Sequence, residues 1–361
     1  MVKRIEYILK KLFINILKLI SRKSTVRKDN PLIVSDSKVL FIRLNRIGDA
    51  LITTPLIDLF KRKRGCRIYV LADKKNYFVF SNNPNIDKVI VYQKNIKAVF
   101  SVFRYIKKEK IDAIVDLHDD VSTTVSLLVT LANCKYKLGL HKSNREIYTH
   151  TIPRIDASSN HVIERILELS KLLGFNYSKD EIKIGYYPKT ENVQFAKEYI
   201  HKTFPEKKFL IGINISAGSD ARFWGINNFR LMLNEIKKYN VNILLFSAPK
   251  DLDKAESITD RQYIYPVSKE FDKFAAGILE LDFLFSPDTS AIHIASIKKI
   301  PVFGLYVKYK TNDVIWSPYN TDFECVITED SNLENVSFEE VIKNFKPFFE
   351  KYFNGKRNSQ L

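Results

Sequence analysis

Apolar residues recur along this chain in two alternating patterns. Short unbroken runs rich in branched and aromatic residues, Lys38-Val39-Leu40-Phe41-Ile42-Arg43 and Phe209-Leu210-Ile211-Gly212-Ile213-Asn214-Ile215, read as strands buried on both faces. Each leads into a turn with a glycine, Leu44-Asn45-Arg46-Ile47-Gly48-Asp49 after the first and Ser216-Ala217-Gly218-Ser219 after the second. A helix beginning near Ala50 is expected from the spacing of Leu51, Ile52, Leu56, Leu59 and Phe60. Further strands are expected over 67–71, 88–91 and 113–117, and again over 242–246, 283–285 and 301–306, with helical stretches between them. Strands alternating with helices predict parallel sheets covered on both sides, an α/β fold.

The pattern occurs twice, so two Rossmann-like domains are expected, over 31–190 and 205–340, with a C-terminal helix and tail over 341–361. The 361 residues suit that number at roughly 100–200 residues per domain. The stretch 186–204, with Pro188 and mixed charge, is the expected boundary. Ligands of such folds bind at the carboxyl ends of the strands, so a central cleft faced by both domains is the expected site.

Residues 1–30 differ from the rest. Ile5, Ile8, Leu9, Leu12, Phe13, Ile16, Leu19 and Ile20 recur at helical spacing, interleaved with Lys3, Arg4, Lys10, Lys11, Lys18, Arg22 and Lys23. The charges interrupt any run of about 20 apolar residues, the length a spanning helix needs. No apolar centre with a small-residue cleavage site marks a signal peptide. Two readings stand: a basic amphipathic helix lying in a membrane interface, or a helix docked on the protein's own surface. Ser24 to Pro31 reads as a short polar linker.

Charge adds a class of partner. The chain has 58 Lys and Arg against 41 Asp and Glu, a formal charge of +17, which favours polyanions: nucleic acid, an anionic membrane, or phosphorylated sugars and lipids. No recognised nucleic-acid motif is present, so nucleic acid is not an expected partner. Three isolated cysteines fit neither a disulfide framework nor a zinc site, and the six histidines show no metal-ligand spacing; a reducing cytoplasm and no metal are expected.

Three segments carry candidate chemistry. In the first, Gly48 permits a tight strand-to-helix turn and Asp49 stands near the helix start, either as an N-cap or as a carboxylate base with Arg43 and Arg46 as a cationic rim. In the second, Ser216-Ala217-Gly218 can offer backbone N–H groups to phosphate and Arg222 a guanidinium fork, while Trp224 packs beneath; an ordinary surface loop is the alternative. In the third, Pro287 ends a strand and Asp288-Thr289-Ser290 opens a helix whose N-terminus suits a pyrophosphate, with His293 one turn on. The plainer reading is that Asp288 or Thr289 caps the helix and His293 is a structural histidine.

In this order and spacing, these segments resemble glycosyltransferase family 9, the heptosyltransferases of lipopolysaccharide core assembly. Trp316-Ser317-Pro318-Tyr319 is similar to the family's Trp-x-Pro-Tyr, and the resemblance covers about residues 37–320. It implies the GT-B architecture and an inverting, metal-independent transfer from a nucleotide-sugar, ADP-heptose, to an anionic glycolipid acceptor. The nucleotide-sugar is then a substrate, and no cofactor is expected. Asp49 falls at the family's catalytic carboxylate. Ser216, Ala217, Gly218, Arg222, Asp288, Thr289, Ser290 and His293 fall at the donor, and Arg43 and Arg46 at the acceptor. The resemblance also implies a cytoplasmic protein, peripheral on the inner leaflet of the bacterial inner membrane. Arg222 stands where a Lys is usual, Ser290 where a Gly is usual, and Leu305-Tyr306-Val307-Lys308-Tyr309 lacks the family's Gly-Pro-Thr. Another nucleotide-sugar, a capsule or protein acceptor, and a non-catalytic sugar-binding module are the alternatives.

Overall fold

The computed structural model describes residues 2–21, 29–44 and 46–358, apart from the side chains of 2–9, 96, 357 and 358. The chain forms two compact units, Met1–Tyr186 and Tyr187–Leu361. The predicted strands are present within two residues at each end, and three more join them.

The first unit holds a six-stranded, wholly parallel sheet: β1 (Lys38–Arg43), β2 (Arg67–Asp73), β3 (Lys88–Tyr92), β4 (Ala113–Asp116), β5 (Tyr136–Leu140) and β6 (His150–Ile152), in the order β3-β2-β1-β4-β5-β6. Every β1 side chain from Val39 to Arg43 is buried, as its unbroken apolar run requires. The second unit has five parallel strands, β7 (Phe209–Asn214), β8 (Val241–Phe246), β9 (Phe283–Pro287), β10 (Val302–Val307) and β11 (Phe323–Thr328), in the order β11-β10-β9-β7-β8. Strand order reverses at β1/β4 in one sheet and at β7/β9 in the other. These are the two switch points, where connections leave in opposite directions and open a crevice at the carboxyl edge.

In the first unit the helices are α1 (Val2–Ser21), α2 (Ile47–Leu51), α3 (Thr54–Arg64), α4 (Phe78–Ser81), α5 (Ile96–Glu109), α6 (Thr123–Leu131) and α7 (Val162–Leu167). The second has α8 (Thr190–Thr203), α9 (Ile226–Ile236), α10 (Leu252–Ile258), α11 (Phe271–Ile278), α12 (Ser290–Ile297) and α13 (Phe338–Asn358). The helix expected from Ala50 is two, α2 and α3, broken at Ile52 and Thr53, with Pro55 in the first turn of α3 where its missing N–H costs nothing. α13 is no mere tail. Phe345 and Phe349 are fully buried with Phe283, Phe285 and Phe303 in the second core, and Phe285 and Phe303 stack with ring centroids 5.6 Å apart.

Helix α1 is docked on the protein's own surface, the second of the two readings of the N-terminus. It packs on α6 through Ile14, Leu17 and Ser21, and Lys18 reaches Glu146 at 3.6 Å. The stripe that defined it lies on the opposite side: Leu12, Ile16, Leu19 and Ile20 are 46 to 59% exposed. Ile5, Leu9 and their neighbours lie outside the described side chains, as does most of the expected linker. No helix among the described residues is long and apolar enough to cross a membrane.

Candidate active site

At the first switch point β1 ends in Arg43, which is 2% exposed. Its Nη2 donates to Asp49 Oδ1 at 2.7 Å, its Nε to the Asp49 carbonyl at 3.1 Å, and its Nη1 to the carbonyl of Leu117 on the neighbouring strand's extension. Burial pulls the Arg43 pKa down and the surrounding carboxylates, Asp49 first, push it up. The expectation that Arg43 lines an acceptor-facing rim is therefore corrected: its cation is turned inward, and what it does is fix a carboxylate. Arg46 is exposed at the N-cap of α2. Asp49 does not cap that helix. It sits in the first turn, with Arg46 at the cap and no side-chain cap bond.

Behind Arg43 lies a polar cluster that the sequence reading missed. Asp116, at the end of β4, accepts from His118 Nδ1 at 2.7 Å, Lys142 Nζ at 2.7 Å and the Tyr148 hydroxyl at 2.5 Å. His118 Nε2 in turn accepts from the backbone N–H of Leu44 at 3.2 Å. These partners require a neutral imidazole with its proton on Nδ1. Burial opposes charge on Asp116, but Lys142 and His118 hold its carboxyl well below the usual range. Burial likewise lowers the His118 pKa against the pull of Asp116. The cluster pins the ends of β1 and β4, and with them Arg43, which holds Asp49 of α2. Its signal was Val115-Asp116-Leu117-His118, a strand closing on an acid and a histidine.

At the second switch point the remaining predicted residues gather. Arg222, in a single 3-10 turn, meets Asp288 twice: Nη2 to Oδ2 at 3.2 Å and Nη1 to its carbonyl at 3.1 Å. Both are partly exposed, at 32% and 20% of their side-chain surface. Thr289 caps α12, its Oγ1 accepting from Ala291 N at 3.2 Å, and Ser290 is the first residue of that helix. Asn214, another residue missed from sequence, ends β7 and ties the loops together. Its Nδ2 lies 3.1 Å from the Ser216 carbonyl, 2.9 Å from Ser286 Oγ and 3.2 Å from Thr289 Oγ1. Ala217 is half-buried and Gly218 exposed, with open space where its Cβ would be. Ser216 accepts from Ala248 N, linking the loop to the end of β8. His293 is 2% exposed within α12. Trp224 packs at the base of the Arg222 loop, fully buried, with Nε1 donating to the Val336 carbonyl. Tyr319 donates its N–H to Ser296 Oγ, so the Trp316–Tyr319 segment braces α12. Tyr306 fills the end of β10, where burial and then the nearby Asp288 keep its hydroxyl protonated far above neutral pH. Among the described residues no group of three or more His, Cys, Asp or Glu is arranged to hold a metal ion.

Two parallel-sheet α/β units, each with polar groups converging at its switch point, define the fold class: that of the GT-B glycosyltransferases. The chain belongs to glycosyltransferase family 9 (heptosyltransferase), whose model matches residues 99–346. It is 26% identical over 275 residues to the lipopolysaccharide core heptosyltransferase OpsX of Haemophilus influenzae, covering 74% of each chain. Its fold is similar to that of a family 9 glycosyltransferase from Veillonella parvula, with a TM-score of 0.77 and 20% identity over 90% of this chain and 100% of that one. It also resembles the E. coli heptosyltransferase WaaC with ADP, with a TM-score of 0.68 and 16% identity over 88% and 99% of the two chains.

Proposed function

We propose that this enzyme moves a heptose from ADP-heptose, with inversion, to an anionic glycolipid of the lipopolysaccharide core. The observation that carries the reading is the Arg43–Asp49 pair at the first switch point: a carboxylate near the surface, oriented by a buried guanidinium. Asp49 takes the proton from the acceptor hydroxyl as that oxygen attacks the anomeric carbon, and the sugar–phosphate bond breaks on the opposite face. Arg222 and the backbone N–H groups at the start of α12 stabilise the charge growing on the leaving diphosphate. Arg222 then exchanges Asp288 for phosphate, which leaves the Asp288 carboxylate to accept from sugar hydroxyls. A second donor is kept in view by the stretch Leu305-Tyr306-Val307-Lys308-Tyr309 at the end of β10, which lacks the family's Gly-Pro-Thr.

The enzyme works at the cytoplasmic face of the inner membrane in this reading, held there by the outward stripe of α1. Leu12, Ile16, Leu19 and Ile20 enter the interface while Ile14 and Leu17 keep the helix on α6.

The test is thermal stabilisation across a panel of nucleotide-sugars. A ligand at a hundredfold its Kd adds about 2.7 kcal/mol to the folded state. ADP-heptose should stabilise the wild type and Asp49→Asn alike, whereas a roughly tenfold weaker Kd in Arg222→Ala, in keeping with one charge-assisted contact, should cut the stabilisation to about 1.4 kcal/mol. A response to another nucleotide-sugar alone would retain the enzyme class and refute the heptose donor. Silence across the panel would favour a binding module without turnover.

A further inference from the structure

A lysine ammonium taken out of water is costly unless its protons find partners, and Lys142 is such a lysine. Its side chain is 2% exposed. Nζ donates to Asp116 Oδ2 at 2.7 Å and to the His118 carbonyl at 2.8 Å, and reaches the Asp120 carbonyl at 3.5 Å. Lys142 lies beyond β5, yet it grips the end of β4, the strand beside β1. No step of the transfer proposed above uses it.

The contacts around it form a chain that ends at Asp49. Asp116 Oδ1 accepts from the backbone N–H of His118 at 3.0 Å and from its Nδ1 at 2.7 Å, which leaves Nε2 as the free end of the ring. Nε2 accepts the N–H of Leu44, the first residue after β1, at 3.2 Å. Arg43, one residue earlier, is held by the Leu117 carbonyl and itself holds Asp49. The turn leading to Asp49 is therefore tied to the end of β4 at two points, through Leu117 and through His118. The second tie exists only while the imidazole is neutral.

Charge decides that. With His118 neutral the set is balanced, Arg43 and Lys142 against Asp49 and Asp116. Burial opposes a proton on the ring most; Arg43 and Lys142 oppose it as well, and Asp116 favours it. Tyr148 donates to the same Asp116 carboxylate, while Asp49, Asp119 and Asp120 act on Arg43. Without the Lys142 charge one negative charge is in excess. A proton on His118, 2.7 Å from Asp116, restores the balance. An imidazolium donates from both nitrogens, so its Nε2 would face the Leu44 N–H donor to donor and release it.

We infer that Lys142 is a positioning residue for the transfer: its buried charge keeps His118 neutral, and neutral His118 holds the turn that leads to Asp49. The inference rests on Asp49 as the base, proposed above, and adds what fixes that base in place and over which pH range.

The experiment compares the full-length wild type, Lys142→Met and Tyr148→Phe by two readouts. The first follows the His118 ring by NMR of protein carrying nitrogen-labelled histidine, with the signal assigned by its loss in His118→Gln. In Lys142→Met the ring should titrate about one pH unit or more above the wild type. Tyr148→Phe, which takes one donor from Asp116, should move it the same way by less. The second readout is ADP release from ADP-heptose with heptose-free lipopolysaccharide core as acceptor. The ratio of Lys142→Met to wild-type kcat should be lowest in acid and climb roughly tenfold as pH rises through the new His118 titration, with the ADP-heptose KM unchanged. Adding His118→Gln to Lys142→Met should flatten that climb, because the amide takes no proton. A lysine that merely supports the fold would lower kcat by one factor at every pH. A flat ratio in Lys142→Met, a climb that persists without His118, or a ring as neutral as in the wild type would overturn the inference. Should Lys142→Met fail to fold, Tyr148→Phe carries both readouts with the smaller displacement. If Asp49→Asn keeps the wild-type rate while the His118 ring still titrates higher in Lys142→Met, the base assignment fails and the charge balance stands.

Discussion

Replacing Asp49 by Asn separates what the carboxylate does for folding from what it does in the reaction. The amide keeps the shape and one acceptor oxygen, so Arg43 Nη2 retains a partner at the 2.7 Å position and the Nε bond to the Asp49 carbonyl is untouched. What is lost is the counter-ion of a guanidinium that is 2% exposed. Breaking a buried pair outright costs about 3–5 kcal/mol. Here Asp49 is 16% exposed and the hydrogen bond survives in neutral form, so the loss should be about 1–2 kcal/mol. For a unit of this size that lowers the melting temperature by roughly 3–6 °C. On the proposed mechanism the transfer step loses its proton acceptor altogether, and kcat should fall by about two to four orders of magnitude. A coupled assay for released ADP measures the rate, and the thermal panel shows whether the donor still binds. A kcat within tenfold of wild type, in protein that still binds donor, would refute Asp49 as the base.

Other consequences follow from the same geometry. Protonation of His118 would cost its Nε2 the Leu44 N–H, and its folded pKa lies below the ordinary value, so the unfolded chain takes up more protons just below pH 6.5. Stability should therefore fall as pH drops from about 6.5 towards the folded pKa, and calorimetric melts from pH 7.5 to 5 should show a shallower slope in His118→Gln; an unchanged slope would assign the proton uptake elsewhere. Gly139→Ala would set a Cβ 2.6 Å from the Tyr148 ring and push its hydroxyl away from Asp116. The expected loss is about 1–3 kcal/mol by urea titration, and a neutral result would mean that the ring yields freely. Ile16→Asp with Leu19→Asp should weaken sedimentation with anionic vesicles at least roughly tenfold, since each large apolar side chain buried contributes about 1.5–3 kcal/mol. Turnover on a water-soluble acceptor should be unaffected, and equal vesicle binding would remove α1 from the interface.

Much of this protein is written in its local sequence. The unbroken apolar runs of β1, β7 and β10 exclude a strand with one wet face, and with the helices between them they dictate parallel sheets. Asp49, Arg222, Asp288 and Thr289 could be singled out as candidates because turns and helix starts confine chemistry to a few positions of recognisable composition. β6 was not, because three residues hold no period, nor β5, whose Tyr-Lys-Leu-Gly-Leu carries a glycine that only the Tyr148 ring explains. β11 is an edge strand in which Val326 alone is buried, and Glu324 interrupts its apolar residues, so no unbroken run marks it. The division of roles among charged residues belongs to the tertiary structure. Arg43 and Arg46 are three positions apart and alike in sequence, but strand geometry buries one against Asp49 and leaves the other in water. Asp116, His118, Lys142 and Tyr148 span 33 residues and meet only because β4 and β5 are neighbours in the sheet. The face α1 turns outward was likewise decided by what α6 offered it. Sequence periodicity fixes which side chains share a face, but the partner that covers a face is chosen by packing across distances the sequence does not record.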